Sequence, residues 1–234
     1  MSAAQILVTS RSLLLMKYDI THVAIIPDGN RRWAKSKGKP AFFGHRHAVV
    51  TTLPALYDKM LELKIPYCTF WVMAPQNFKK RSAFEINNLL KLLNEFIDTR
   101  LDDFIKKNIK VLAIGDISEL PQSTQKQINR AIESTKNNTG LTFIFAVNYG
   151  GRDEIMRAVK KGGKDFVKFL DTENIPDPDL IIRPGGEKRT SGFLLWQSEY
   201  TEYIFLDKLF PDFSPEDMVA CLEEYSRRKR RFGK

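Results

Sequence analysis

Six short apolar runs punctuate the chain, at residues 23–26, 68–73, 111–114, 142–147, 180–182 and 203–206. Most are near-continuous rather than alternating, the pattern of strands covered on both faces. Helical periodicity fills several of the gaps. In residues 84–105 the apolar positions Ile86, Leu89, Leu90, Leu93, Ile97, Leu101 and Phe104 recur every three or four residues. Ser82 stands ready as the N-cap, with Glu85 three residues on, a capping-box pattern. Residues 122–136 and 215–231 read as further helices. Strands alternating with helices predict a single α/β domain with a largely parallel central sheet flanked by helices. No linker, repeat or low-complexity tract divides the chain.

In such sheets ligands bind beyond the carboxyl ends of the strands. Three polar segments fall there. The first is Asp28-Gly29-Asn30-Arg31-Arg32-Trp33. It offers a carboxylate beside backbone amides at a helix start, a setting suited to a diphosphate and a bridging Mg²⁺. The alternative is Asp28 as a simple helix cap. The segment matches neither the P-loop nor the dinucleotide fingerprint. The second runs from Arg183 through Gly185-Gly186 and Glu187 to Arg189 and Ser191. Planar guanidinium forks suit phosphate oxygens, and a surface salt-bridge cluster is the competing reading. The third, Asn148-Tyr149-Gly150-Gly151-Arg152, reads as a tight turn into a helix. Its competing reading is a left-handed turn, with Arg152 paired to a carboxylate.

Charge sharpens this picture. Thirty-seven Lys and Arg against 28 Asp and Glu leave +9, pointing to an anionic partner. Basic residues are not interleaved with exposed aromatics and no recognition motif appears, so no nucleic-acid partner is expected. His22, His45 and His47 lack partners at zinc-ligand spacing. Cys68 and Cys221 lie in apolar patterns, as buried thiols in a reducing compartment. The apolar stretches within residues 1–16 are interrupted by Arg11 and are too short to span a bilayer. Residues 1–21 are read as an N-terminal extension or helix.

With these blocks in this order, the chain closely resembles the cis-prenyltransferases, the undecaprenyl diphosphate synthase family. The likeness runs from about His22 to Gly233 and makes 22–234 the catalytic domain. It rests on the three segments above, Gly44-His45, Asn77-Phe78, Ile114-Gly115-Asp116, Phe193 to Gln197, Glu202, and Arg230-Arg231-Phe232-Gly233. The resemblance implies Mg²⁺-dependent condensation of isopentenyl diphosphate with an allylic diphosphate, from dimethylallyl to geranylgeranyl, giving Z double bonds. By position, Asp28 is the central acid for metal and diphosphate, and Glu202 contributes to the metal. Gly29, Asn30, Arg31 and Arg32 serve the allylic diphosphate. Arg183, Arg189 and Ser191 hold isopentenyl diphosphate. His45 and Asn77 sit near the reacting groups, Lys80 stands where the family has an arginine, and Trp33 and Phe78 shape the substrate wall. The growing chain is expected in an apolar tunnel lined partly by residues 84–105. The resemblance further implies a homodimer with the C-terminal segment near its interface. It also implies a cytoplasmic location and peripheral membrane contact through the product.

Departures from the family cluster on the allylic side. Ala41 replaces an arginine, Ala74-Pro75-Gln76 replaces a Ser-rich block, and Lys80 replaces arginine. Pro184 and Gly192 are smaller changes, and residues 152–178 form a shorter stretch than usual. Lys39 and Arg46 are close enough in sequence to compensate for Ala41. An altered primer preference is expected, or acceptance of a second allylic diphosphate with non-head-to-tail products. A non-catalytic subunit of a heteromeric enzyme is the alternative. It fits poorly, because Asp28, Gly29, Asn30, Arg183 and Glu202 are all present.

Overall fold

The protein is described here by a computed structural model that covers residues 18–228. All six apolar runs form strands: β1 (His22–Ile25), β2 (Tyr67–Met73), β3 (Lys110–Ile114), β4 (Thr142–Val147), β5 (Leu180–Pro184) and β6 (Glu202–Leu206). They make one parallel sheet in the order β3-β4-β2-β1-β5-β6. Helices α1 (Asn30–Ser36), α2 (Ala41–His47), α3 (Leu53–Glu62), α4 (Pro75–Lys80), α5 (Ala83–Lys106), α6 (Gln122–Thr135), α7 (Gly151–Gly162) and α8 (Pro215–Arg227) connect the strands. β4 and β5 are buried at every position, which explains their unbroken apolar runs. The expected cap is present: Glu85 N–H donates to Ser82 Oγ at 3.2 Å and starts α5. The third helix is followed to Arg227. The proposed N-terminal extension or helix lies almost wholly outside the described residues, and the Arg230–Gly233 motif lies wholly outside them.

β1 lies between β2 and β5: the chain runs from β1 to β2 on one side, and later crosses from β4 to β5 on the other. This topological switch opens a crevice beyond its carboxyl end, the usual ligand position of such sheets. Between α2 and α3 the backbone widens into a π-helical turn over Ala48–Thr52. Such turns redirect side chains. Here the Thr52 hydroxyl donates to Pro211 O at 2.9 Å, while Ala48 and Val49 face the crevice.

His22 anchors the start of β1. Its Nδ1 lies 2.6 Å from Pro176 O and its Nε2 2.8 Å from Thr69 Oγ1. A carbonyl only accepts, so Nδ1 carries the proton and Nε2 accepts from the threonine. Burial lowers its pKa to about 4. Because the folded value lies below the unfolded one, the unfolded chain binds more protons as pH falls from 6.5 towards 4. Stability present above pH 6.5 is therefore lost across that window. The expected loss from this residue is about 3 kcal/mol. Urea midpoints at pH 7.5 and 4.5 should fall less in His22→Gln than in the wild type. Equal falls would show that His22 does not titrate with folding.

Candidate active site

A cavity of about 450 Å³ opens at the carboxyl ends of β1, β2 and β5. Its mouth is polar, with Asp28, Asn30, His45, Asn77, Arg81, Arg183 and Ser191, while its depth is apolar. A smaller recess of about 280 Å³ shares Asp28, Asn30, His45 and Arg81 with it and adds Gly29, Arg31 and Arg32.

Arg183 at the end of β5 is 4% exposed and organises the mouth. Its Nη2 donates to Asp28 Oδ2 at 2.8 Å, and its Nη1 donates to Ser191 Oγ at 2.9 Å and to the Arg189 carbonyl. Its Nε is buried and unpartnered. The other carboxylate oxygen, Asp28 Oδ1, accepts from Gly29 N–H at 2.6 Å. Asp28 is therefore not the cap of α1, and that alternative falls. Arg183 belongs to a buried pair, whereas the Arg189 side chain is exposed and holds Glu187 at 2.5 Å. For Arg189 the surface salt-bridge reading is the one the structure supports.

Two glycines allow the close approaches. A Cβ on Gly185, at φ +111°, would lie 2.9 Å from Asp28 Cβ. A Cβ on Gly44 would lie 1.8 Å from Asn30 O, so only glycine lets α2 seat against the start of α1. That seating brings His45 to the mouth beside Asn30. Asn30 Nδ2 donates to Pro27 O at 3.1 Å, leaving its buried Oδ1 without a partner. His45 is kept neutral: burial lowers its pKa to about 4, aided by the charges of Arg81 and Arg31. Burial, with Arg31 nearby, also lowers the pKa of Arg81. Arg31 reaches Glu85 at 4.0 Å and Arg32 reaches Asp28 at 3.6 Å, so four guanidinium groups at the mouth, those of Arg31, Arg32, Arg81 and Arg183, share two carboxylates, a balance that suits an anion.

Several expectations are corrected. Lys80 is exposed and lines neither cavity, whereas Arg81 lines both. Arg81 is the first residue past α4, and its extended φ and ψ (−98°, 154°) turn it off the helix. Trp33 stacks on His47 at 4.6 Å and donates to Asp212 Oδ1 at 2.7 Å, away from the cavity wall. Phe78 packs on the core instead of lining the cavity. Lys39 sits over the Phe43 ring and Arg46 pairs with Glu95 at 3.5 Å, so neither replaces the arginine missing at Ala41. Glu202 begins β6 level with Leu180, itself level with Val23 on β1. That puts it at the opposite end of the sheet from Asp28, where it accepts from Arg228 at 2.7 Å. Strand rise over five residues separates the two levels by roughly 17 Å. Asp28 and Glu202 therefore do not meet within one chain. At the third segment Asn148 takes a left-handed φ of 49°, and its Nδ2 donates to Asp116 O at 3.0 Å. That supplies the left-handed turn of the competing reading, but not the carboxylate partner it assigned to Arg152.

Arg81 is the residue that sequence reading missed. Arg81→Ala is expected to raise KM for the allylic substrate about tenfold to a hundredfold, as for a lost charge-assisted contact. Lys80→Ala should stay within about twofold of wild type, as for other exposed substitutions. Initial rates with varied primer check both. Equal effects would place the contact elsewhere.

A parallel α/β sheet whose switch-point cavity is cationic at the mouth and apolar inside has the shape and charge to suit an amphiphilic phosphoester. The chain matches the family model described as putative undecaprenyl diphosphate synthase over residues 26–233. It is 42% identical over 227 residues to the ditrans,polycis-undecaprenyl-diphosphate synthase ((2E,6E)-farnesyl-diphosphate specific) of Micrococcus luteus, covering 91% of this chain and 90% of that protein. It is 44% identical over 225 residues to an isoprenyl transferase of Rickettsia bellii, covering 92% and 99%. Among solved structures it superposes on lavandulyl diphosphate synthase from Lavandula x intermedia in complex with dimethylallyl diphosphate. That match has a TM-score of 0.88 and 37% identity over 92% of this chain and 98% of that one. The chain belongs to the undecaprenyl diphosphate synthase family and is a prenyltransferase.

Proposed function

We propose that the protein condenses isopentenyl diphosphate with an allylic diphosphate to give Z-prenyl diphosphates. One observation carries this reading: a single cavity offers phosphate-binding groups at its mouth and an apolar body behind them. A prenyl diphosphate has the same division.

Arg31, Arg32, Arg81 and the first-turn amides of α1 hold the allylic diphosphate. Arg183 and Ser191 hold isopentenyl diphosphate. Asp28 would supply a hard oxygen that suits Mg²⁺, the ion this family typically uses. Among the described residues no three His, Cys, Asp or Glu side chains cluster as metal ligands. When bound, the ion offsets charge on the leaving diphosphate. As the allylic carbon–oxygen bond breaks, the arginines stabilise the anion that departs. The isopentenyl double bond then forms the new carbon–carbon bond. A proton leaves the resulting cation, which is acidic enough to need only a weak base. Neutral His45 keeps a ring nitrogen free for it, and the unpartnered Asn30 Oδ1 and the nearby Asn77 orient the reactants.

The test is a product assay with labelled isopentenyl diphosphate, Mg²⁺ and each primer from dimethylallyl to geranylgeranyl diphosphate. Z-prenyl alcohols after dephosphorylation, absent from Asp28→Ala, are the expected result. Dimethylallyl diphosphate offered alone reports whether a second allylic molecule is accepted. Wild-type inactivity that is relieved by an added partner chain would favour the subunit alternative instead.

A second copy of the chain is the proposed partner. Met156 (70% exposed), Val159, Val167, Phe169 and Trp196 leave apolar side chains on the surface of α7 and its neighbouring segments. Such exposure suits a covered face. Light scattering should give a dimer, and Met156→Asp combined with Trp196→Glu should give a monomer. A monomeric wild type would refute this. No helix among the described residues is long and apolar enough to cross a membrane. Membrane contact, if made, is made through the product.

A further inference from the structure

Two blocks of the sequence line no part of the cavity: Asn148 to Arg152, and Phe193 to Gln197. The structure packs them together. Residues 185–201, between β5 and β6, form neither helix nor strand. So long a connection in a compact domain is usually functional. Within it Ser191, Gly192 and Leu194 take left-handed φ values of 56°, 94° and 45°. Such backbone is unfavourable for serine and more so for leucine, so the surroundings must hold it. The holding matters because Ser191 Oγ accepts from Arg183 at 2.9 Å at the cavity mouth.

Three anchors fix this segment against β2 and α7. Gly151 N–H donates to Gly192 O at 2.7 Å. A Cβ on Gly151 would lie 2.8 Å from Leu195 Cβ, so a glycine there is what permits the approach. Phe193 is fully buried, stacked on Trp71 at 4.9 Å and edge-on to Tyr149 at 6.2 Å. The third anchor is the buried Gln197. Its Nε2 donates to Glu154 Oε1 at 3.2 Å, to Glu154 Oε2 at 3.0 Å and to Thr172 Oγ1 at 2.6 Å. Only the NH₂ end of an amide can face a carboxylate, so the side chain has one orientation. Its Oε1 stays buried and unpartnered, a cost that an apolar side chain would not carry.

Glu154, in the first turn of α7 and fully buried, is itself held. It accepts from the Tyr149 hydroxyl at 2.6 Å and from Asp171 N–H at 3.0 Å. Arg157 grips the Asp171 carboxylate with two N–H groups, at 2.9 and 2.6 Å. Gly115 N–H, just past β3, donates to the same carboxylate at 2.9 Å. A buried carboxylate tied to three donors is a rigid anchor.

We infer that Gln197 is a positioning residue. Through Glu154 it keeps the segment around Ser191 in its left-handed turn, and so sets Ser191 and Arg183 for isopentenyl diphosphate. It touches no substrate. This rests on the synthase reading above and adds a determinant of second-substrate binding that lies outside the cavity.

The experiment compares Gln197→Leu with Tyr149→Phe. Each takes one donor from Glu154, but only the first releases the segment, because Tyr149→Phe keeps its ring against Phe193. In Gln197→Leu the KM for isopentenyl diphosphate should rise about tenfold, with kcat and the allylic KM within about twofold of wild type. Tyr149→Phe should leave all three within about twofold. Amide hydrogen exchange reads the same device without turnover. The Phe193 amide, which donates to Thr190 O at 3.0 Å, should be protected in the wild type and should exchange about tenfold faster in Gln197→Leu. The proposal is overturned, and the synthase reading left intact, by open-chain exchange of that amide in the wild type. The same follows from an unchanged isopentenyl KM in a folded Gln197→Leu, from an equal rise in both KM values, or from the same rise in Tyr149→Phe. A wild type that keeps the protection but makes no product from any primer would instead sink the synthase reading, and with it the role in isopentenyl diphosphate binding.

Discussion

Arg183→Ala is expected to lower kcat/KM for isopentenyl diphosphate about a thousandfold, the scale of a lost preorganised donor to a developing anion. Arg183 donates to Asp28, Ser191 and the Arg189 carbonyl together. Its removal takes away the proposed phosphate ligand, frees Ser191 and leaves the Asp28 carboxylate short of a partner. The last effect should cost about 2 kcal/mol of stability. That corresponds to a fall in Tm of about 4–8 °C for a chain of this size. Arg183→Lys should recover part of the stability but little of the rate, because one ammonium on a flexible stem cannot serve three fixed acceptors. Steady-state kinetics at varied isopentenyl diphosphate and a thermal melt decide the matter. A change of less than about threefold in kcat/KM would remove Arg183 from substrate binding.

Gly44→Ala should have the largest effect on folding. The added carbon would lie 1.8 Å from Asn30 O, and backbone on both sides leaves neither partner a cheap escape. Overpacking of this kind is expected to cost about 3 kcal/mol. The melt should then fall by about 6–12 °C. Activity should fall further than stability explains, because α2 carries His45 and α1 carries Asn30. A melt within about 2 °C of wild type would show that α2 can shift away from α1 freely. This test touches no group that contacts substrate, so it separates the seating of the site from its chemistry.

The particular elements show how far the primary structure could be read. β1, β2, β4 and β5 were legible because they are buried on both faces or nearly so, which leaves an unbroken apolar run, whereas the edge strands β3 and β6 are only partly buried yet keep enough apolar residues to be read. The long helix α5 was legible from its spacing and from Ser82. The mouth was legible where a residue stands directly at a strand end, as do Asp28 and Arg183. It was not legible one helical turn further on. Whether Lys80 or Arg81 meets the substrate depends on where α4 stops, and a single extended residue decides it. Trp33 and Phe78 lie beside site residues in the chain yet point to other neighbours. Glu202 failed for a different reason: it lies at the start of its strand, and parallel register carries it to the far end of the sheet from Asp28.

By itself, the order of residues determined the α/β class, the six strands, the family and the two segments that carry Asp28 and Arg183 to the cavity mouth. These depend on local pattern and on residue type at fixed spacing. Only the tertiary structure decided which guanidinium is buried against Asp28, that Arg81 faces the mouth, and that Lys39 and Arg46 do not replace an arginine at position 41. It alone also brought Phe96 of α5 and Phe145 of β4 together on the apolar wall of the cavity. Each of those rings reads in the chain as ordinary core. Their joint effect on the space left for a substrate exists only once long-range packing has brought them together.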